Sequence, residues 1–143
     1  MLLQYEWYLD HGYDGEGIAS LFTEDGLWEI EGVGGVAQGH DAIVNHAANL
    51  VKSLPWGQHN MLAPMITVEP DGMTATGTFC LICTLTLIEE SGEEAAYIEI
   101  GKYRNTYVKV DGEWKFQHLY GNMEKVGRWE LGWVADSLVK EEW

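Results

Sequence analysis

Residues 95–122 read AAYIEIGKYRNTYVKVDGEWKFQHLYGN, and their pattern is the clearest indication of the fold. Apolar or aromatic residues alternate with polar ones on both sides of Asp111-Gly112, which is the period of a strand with one buried face. An Asp-Gly pair between two such runs is a strong signal for a tight β-hairpin. We therefore predict two long antiparallel strands, Ala95–Val110 and Glu113–Asn122.

The alternation continues upstream, towards the middle of the chain. It predicts two further strands at Gln58–Val68 and Met73–Ile88. The segments Pro70-Asp71-Gly72 and Ser91-Gly92 separate these strands and have the composition of turns. Long strands that follow one another through short turns form an antiparallel meander.

The N-terminal third has helical spacing. Leu2–Asp10 is an apolar, aromatic helical stretch, Leu21 and Phe22 belong to a short second helix, and Asp41 is a candidate cap for a third. Helices that precede a run of strands indicate an α+β fold. We expect a cone-shaped, curved antiparallel sheet that encloses an apolar pocket together with three N-terminal helices.

Three segments are predicted to be less regular. Leu27–Ile30 is interpreted as a short strand, Glu31–Gly39 as a glycine-rich loop, and Arg128–Trp143 as a tail with some helix. The whole chain, residues 1–143, is short enough to be one domain.

Composition excludes several classes of function. Asp and Glu number 23 against eight Lys and Arg, so the net charge is −15, which argues against a nucleic-acid partner and against an anionic membrane surface. No apolar run approaches the roughly 20 residues of a membrane helix, so we expect a cytoplasmic protein. The sequence contains no phosphate-binding loop or metal-ligand spacing, and we expect neither a cofactor nor a metal.

One histidine and two aspartates are the candidates for chemistry. His59 shares one face of its predicted strand with Met61, Ala63 and Met65, so it is either a core residue or a base in a dry site. Asp10 ends the first helix beside apolar residues, where a carboxylate needs a partner. An Asp–His pair would satisfy both groups, because the carboxylate orients the imidazole and stabilises its protonated form. Asp14 competes with Asp10 for this role.

The order and spacing of four stretches resemble a known superfamily. The stretches lie within Tyr8–Trp28, Gly39–Ile43, His59–Gly77 and Gly101–Phe116. The chain resembles the SnoaL-like branch of the nuclear-transport-factor-2-like superfamily, which has a cystatin-like α+β barrel, and within it the scytalone dehydratase and hexachlorocyclohexane dehydrochlorinase group.

The resemblance implies a site and a reaction. Enzymes of this group use an Asp–His dyad, and His59 falls on its histidine, with Asp10 or, as the alternative, Asp14 on its aspartate. The implied activity is a cofactor-independent lyase or isomerase of the dehydratase or dehydrohalogenase type, acting on a small apolar cyclic substrate such as a steroid, terpenoid or aromatic polyketide. The expected pocket residues are Tyr8, Tyr13, Trp28, Ile30, Met61, Ala63, Cys83, Leu85, Tyr103 and Leu119.

Several pocket positions depart from the relatives. Leu85, Ile30, Tyr103 and Leu119 fall where those enzymes carry a second histidine, a tyrosine, an asparagine and an arginine. The reaction type therefore transfers better than the substrate. Two alternatives remain: a non-catalytic small-molecule-binding or assembly module of the same fold, and an aldol-type polyketide cyclase. The resemblance also implies a homo-oligomer, a dimer or a trimer.

Overall fold

Six strands form one sheet in the computed structural model, which describes residues 1–31 and 34–135. The order across the sheet is β2-β1-β6-β5-β4-β3, so β2 and β3 are its edges and the sheet is not closed. The strands are β1 (Phe22–Glu31), β2 (Gly35–Gln38), β3 (Trp56–Val68), β4 (Thr74–Ile88), β5 (Glu94–Val110) and β6 (Glu113–Arg128).

The four long strands form the predicted antiparallel meander. β3 pairs with β4, β4 with β5 and β5 with β6, all antiparallel. Gly72, Gly92 and Gly112 each lie at positive φ in the three connecting turns, as tight hairpins require. β6 continues six residues beyond its predicted end at Asn122, because its second half pairs with the start of β5.

The first two strands correct the sequence prediction in two ways. β1 begins at Phe22 and runs parallel to β6, so the sheet is mixed and not wholly antiparallel. The expected loop Glu31–Gly39 contains β2, which pairs antiparallel with β1. Residues 32 and 33 of that loop, like residues 136–143 of the predicted tail, lie outside the described residues.

The helices are α1 (Leu2–Asp10), α2 (Gly15–Ser20), α3 (His40–Ser53) and the short α4 (Gly132–Ala135). The second helix is shorter than predicted, because Phe22 is taken into β1 and packs on Phe116 with ring centroids 5.1 Å apart. Asp41 does not cap the third helix: Gly39 occupies the cap position and Asp41 lies in the first turn. None of the described helices has both the length and the apolar character needed to cross a bilayer.

The α+β class and the curved sheet are confirmed. Interruptions in the β3–β4 and β5–β6 registers mark β-bulges, which increase the local twist and bend a sheet. Inward residues of the long strands pack against α1, α2 and α3 to form the core. This arrangement leaves a hollow between the helices and the inner face of the sheet, and the hollow contains the candidate site.

Candidate active site

Helix α1 lies along the free edge of β3 and presents two kinds of side chain to it. Tyr5 and Leu9, one turn apart, are buried in the core. Glu6 and Asp10, also one turn apart, accept hydrogen bonds from the backbone N–H groups of Met61 and His59. Burial raises the pKa of Glu6, and the Met61 N–H opposes that rise. The two carboxylates thus replace the strand partner that an edge strand lacks.

Asp10 and His59 form the central contact of the site. One oxygen of Asp10, Oδ1, is 3.0 Å from the backbone nitrogen of His59 and 2.8 Å from its Nδ1. The side chains are 22% and 8% exposed, respectively. A carboxylate accepts the Nδ1 proton, so Nε2 of the neutral ring carries the lone pair. Nε2 has no hydrogen-bond partner among residues 1–31 and 34–135.

The other aspartate has a different place. Oδ1 of Asp14 accepts a hydrogen bond from the backbone N–H of Gly17 at 3.1 Å and caps α2. Between the two aspartates the chain turns sharply, with φ of 84° at Gly12 and 53° at Tyr13. This turn places the Tyr13 ring edge-on to the imidazole of His59, with centroids 6.3 Å apart.

A cavity of about 140 Å³ lies beside the imidazole. Of the expected pocket residues, Tyr13, Trp28, Ile30, Leu85 and Tyr103 line it together with His59. The remaining walls include Tyr5 and Leu9 of α1, Leu50, Ser53 and Leu54 at the end of α3, and Leu87, Glu99, Met123 and Val126 of the sheet. The lining is therefore mainly apolar, with a small number of polar groups.

Five expected pocket residues do not line this cavity. The Tyr8 ring occupies the space beside Gly17 of α2, and Met61 packs only partly against the core. Cys83 and Leu119 are fully buried within the core.

Ala63 is displaced by a bulge that the alternation pattern did not reveal. Ala63 and Pro64 together oppose Phe79, and Ala63 has a φ of 50°. From the bulge onward, alternate residues of β3 no longer lie on the face that carries His59. Ala63 and Met65 are therefore exposed. Pro64 lacks an N–H group and is tolerated because β3 is an edge strand.

The structure adds one polar group that the sequence did not predict. Glu99 of β5 is 6% exposed and lines the cavity, yet its Oε1 has no hydrogen-bond partner among the described residues. Glu99 shares the inner face of β5 with Tyr97 and Tyr103, and a carboxylate at an inward position is the sequence feature that points to it.

The phenols around the cavity remain protonated over the ordinary pH range. Burial raises the pKa of Tyr5, Tyr13 and Tyr103 well above the usual value for tyrosine. The hydroxyl groups of Tyr5 and Tyr103 are hydrogen-bonded to each other, whereas that of Tyr13 can donate a hydrogen bond to a ligand. In the described part of the chain, no group of three or more His, Cys, Asp or Glu side chains is arranged to hold a metal ion.

Comparison with known protein families gives one match. A model of the SnoaL-like domain matches residues 1–120. The chain belongs to the SnoaL-like domain family. No curated protein matches this SnoaL-like chain.

Solved structures share the fold of this SnoaL-like chain at low identity. A provisionally assigned scytalone dehydratase from Novosphingobium aromaticivorans is 22% identical over 99% of this chain and 90% of its own, with a TM-score of 0.76. A hexachlorocyclohexane dehydrochlorinase from Novosphingobium barchaimii is 21% identical over 89% and 84%, also with a TM-score of 0.76. A protein of unknown function from Mycobacterium tuberculosis is 26% identical over 87% and 68%, with a TM-score of 0.67.

Proposed function

We propose that the protein is a cofactor-independent lyase or isomerase that removes a carbon-bound proton from a small apolar cyclic substrate. His59 is the base and Asp10 is its partner. The observation that carries the proposal is the 2.8 Å contact between Asp10 Oδ1 and His59 Nδ1, at the wall of an apolar cavity. The enzyme names of two structures with this fold support the same class of reaction.

The dyad carries out a simple proton transfer. Nε2 of His59 takes the proton, and the electron pair of the C–H bond forms a new double bond as the leaving group departs with its own pair. In an isomerisation, the proton instead returns at another carbon. Asp10 fixes the ring orientation and stabilises the imidazolium. A positioned base of this kind contributes about 10²–10⁴-fold to the rate.

The cavity limits the size of the substrate. Its volume of about 140 Å³ is close to that of an engineered cavity of about 150 Å³ known to hold benzene. One six-membered ring fits this space, whereas the four fused rings of a steroid exceed it. Among the steroid, terpenoid and polyketide classes that the resemblance implies, we therefore favour single-ring compounds.

The charges around the cavity favour a neutral substrate. None of the described lining residues is Lys or Arg, whereas Glu99 lies in the wall and Asp10 and Glu6 lie beside it. The chain as a whole carries a net charge of −15. An anionic substrate would be repelled both on approach and after binding.

Cyclohexanone in D₂O tests the proposal, because exchange of its α-protons reports proton abstraction without any leaving group. We expect the parent protein to accelerate the exchange, measured by NMR. Asp10→Asn and His59→Gln should each lower the rate by about 10²-fold or more. Asp14→Asn is the matched control, since Asn caps a helix as well as Asp does and Asp14 does not touch His59.

The alternatives give different outcomes. Loss of exchange in Asp10→Asn but not in His59→Gln would favour an aldol-type cyclase in which the aspartate is the base. Binding of the ring without any exchange by the parent protein would favour a non-catalytic binding module and would contradict the proposal.

Two properties of the whole molecule stay predictions. The expected homo-oligomer is supported by a group of exposed apolar residues on edge strand β3, namely Met65, Ile66 and Val68. Light scattering at several protein concentrations would distinguish a monomer from a dimer or a trimer. The cytoplasmic location is tested by fractionation of the source cells.

A further inference from the structure

The proposed base faces a second ionisable group inside the cavity. In the sheet register, His59 of β3 pairs with Cys83 of β4, and Cys83 pairs with Glu99 of β5. Paired residues point to the same face of a sheet, so the imidazole and the carboxyl group lie on one wall, with their backbones about 10 Å apart. Both side chains line the same cavity.

One carboxyl oxygen of Glu99, Oε1, has no hydrogen-bond partner within the described part of the protein. Its side chain is 6% exposed, and Oε1 makes no hydrogen bond. The intervening Cys83 does not satisfy it, because the thiol of Cys83 is directed at the carbonyl oxygen of Thr84, 3.7 Å away. A buried polar atom without a partner costs about 1–3 kcal/mol, so folding alone does not explain this residue. A ligand with a polar group would supply the missing partner.

We propose that Glu99 is the general acid of the site and that the leaving group is a hydroxyl group that Glu99 protonates. This inference rests on the proposed function, in which His59 removes the proton. It adds a second catalytic residue and selects the dehydration of a single-ring β-hydroxy carbonyl compound over the elimination of halide.

The two groups act on neighbouring carbons. His59 Nε2 takes the proton from the carbon next to the carbonyl group, and the C–H electron pair becomes the new carbon–carbon double bond. The C–O bond breaks with its electron pair on oxygen, and that oxygen takes the proton of the Glu99 carboxyl group and leaves as water. The imidazolium then returns a proton to the carboxylate through a water molecule, which restores both groups without a cofactor.

The surroundings of Glu99 keep its proton available near neutral pH. Burial raises its pKa to about 7, and the nearby His59 opposes the rise. A pKa close to the working pH suits a general acid. The ionisable groups that interact electrostatically with the carboxyl group are Tyr5 (α1), Tyr13 (the α1–α2 turn), His59 (β3), Cys83 (β4) and, on β5 itself, Tyr103. On β6, the apolar Val126 pairs with Glu99 in the sheet register.

A pair of substrates that differ only in the leaving group tests this role. 3-Hydroxycyclohexanone must receive a proton to release water, whereas 3-chlorocyclohexanone releases chloride without one. Both give cyclohexenone, which is followed by its ultraviolet absorbance after subtraction of the spontaneous rate. We expect Glu99→Gln to slow the hydroxy compound by about 10²-fold and to leave the chloro compound nearly unchanged. His59→Gln should slow both.

The matched control is Glu29→Gln. Glu29 also pairs with a histidine, His118, at 2.9 Å, but it alternates with the inward Trp28 and Ile30 and so faces away from the cavity. This variant removes the same charge and should not change either rate. Equal slowing of both substrates by Glu99→Gln, or no slowing of either, would overturn the assignment. If the parent protein exchanges the protons of cyclohexanone but eliminates neither group, the assignment is overturned; if it does neither, the proposed function itself fails.

A binding measurement tests Glu99 even in that event. Cyclohexyl methyl ether, whose oxygen takes the place of the leaving group and can only accept a hydrogen bond, is titrated into the protein at about pH 5.5 and about pH 8.5, with tryptophan fluorescence as the readout because Trp28 lies in the cavity wall. A protonated Glu99 donates a hydrogen bond to the ether oxygen, so the affinity should fall by about fivefold at the higher pH. Glu99→Gln keeps a donor at both values and should show no such fall. Equal pH dependence in the two proteins would overturn the proposal.

Discussion

A single carboxylate oxygen organises the candidate site. Oδ1 of Asp10 accepts both the backbone N–H and the ring N–H of His59, so helix, strand and imidazole are fixed by one atom. Gly57, two residues earlier on the same face of β3, leaves room for Leu85 of the cavity wall, since a Cβ there would lie 3.0 Å from Cδ2 of Leu85. The backbone contact sets the position of the strand and the ring contact sets the tautomer. This double contact distinguishes Asp10 from Asp14.

Glu99 makes the stability of the protein depend on pH in a defined direction. Its pKa is about 7 in the folded protein and near the ordinary 4.5 in the unfolded chain. At a pH between these two pKa values, Glu99 holds a proton in the folded state that it has released in the unfolded state. The contribution of Glu99 to the free energy of unfolding therefore falls as the pH rises from about 4.5 to about 7.

Comparison of the parent protein with Glu99→Gln isolates this effect. The difference between the unfolded-state pKa of 4.5 and the folded-state pKa of about 7 corresponds to about 3 kcal/mol in the free energy of unfolding. When the pH is raised from about 4 to about 8, the free energy of unfolding of Glu99→Gln should increase by this amount relative to that of the parent protein, as measured by urea denaturation. Parallel pH profiles for the two proteins would contradict the prediction.

At the level of elements, α1 acts as the cover of an exposed sheet edge. Edge strands present unpaired N–H groups that promote aggregation, and proteins commonly block them with charge or with a covering element. Here Glu6 and Asp10 of α1 receive the N–H groups of Met61 and His59. The contact that protects the edge also brings the aspartate to the histidine.

The contribution of Glu6 is measurable. Glu6→Ala removes the acceptor of the Met61 N–H and should lower the free energy of unfolding by about 1 kcal/mol, a modest value because the side chain is half-buried. Amide hydrogen exchange at Met61 should accelerate. Gln4→Ala, at an exposed position of the same helix, is the control. Unchanged exchange at Met61 would show that the contact is not formed in solution.

The bulge in β3 gives a stabilising substitution. Ala63 has a φ of 50°, in the left-handed region where Cβ is strained by about 1–2 kcal/mol. Glycine relieves that strain but loses more entropy on folding, so Ala63→Gly should stabilise the protein by about 0.5–1 kcal/mol. Thermal unfolding measures the change. Ala75→Gly, at a buried position within regular β4, should have the opposite sign. Destabilisation by Ala63→Gly would contradict the bulge geometry.

At the scale of the whole molecule, the site depends on contacts between distant parts of the chain. Asp10 and His59 are 49 residues apart in sequence, and Glu99 reaches the cavity through the pairing of β3, β4 and β5. The antiparallel meander explains why His59, Cys83 and Glu99 lie side by side, because hairpins in chain order place the middle of each strand beside the middle of the next. β1 follows α2 directly and pairs in parallel with β6, so it joins the N-terminal helices to the sheet.

Local patterns predicted the long strands, their turns and the alternation of their faces, because period and turn chemistry are properties of neighbouring residues. The residue pattern and the family resemblance both pointed to His59, with Asp10 as its expected partner and Asp14 as the alternative. The tertiary structure decided that Asp10 contacts His59, that β1 runs parallel to β6, that a bulge removes Ala63 from the inner face, and that Glu99 faces His59. These outcomes depend on register and packing between segments far apart in sequence, which no local pattern encodes.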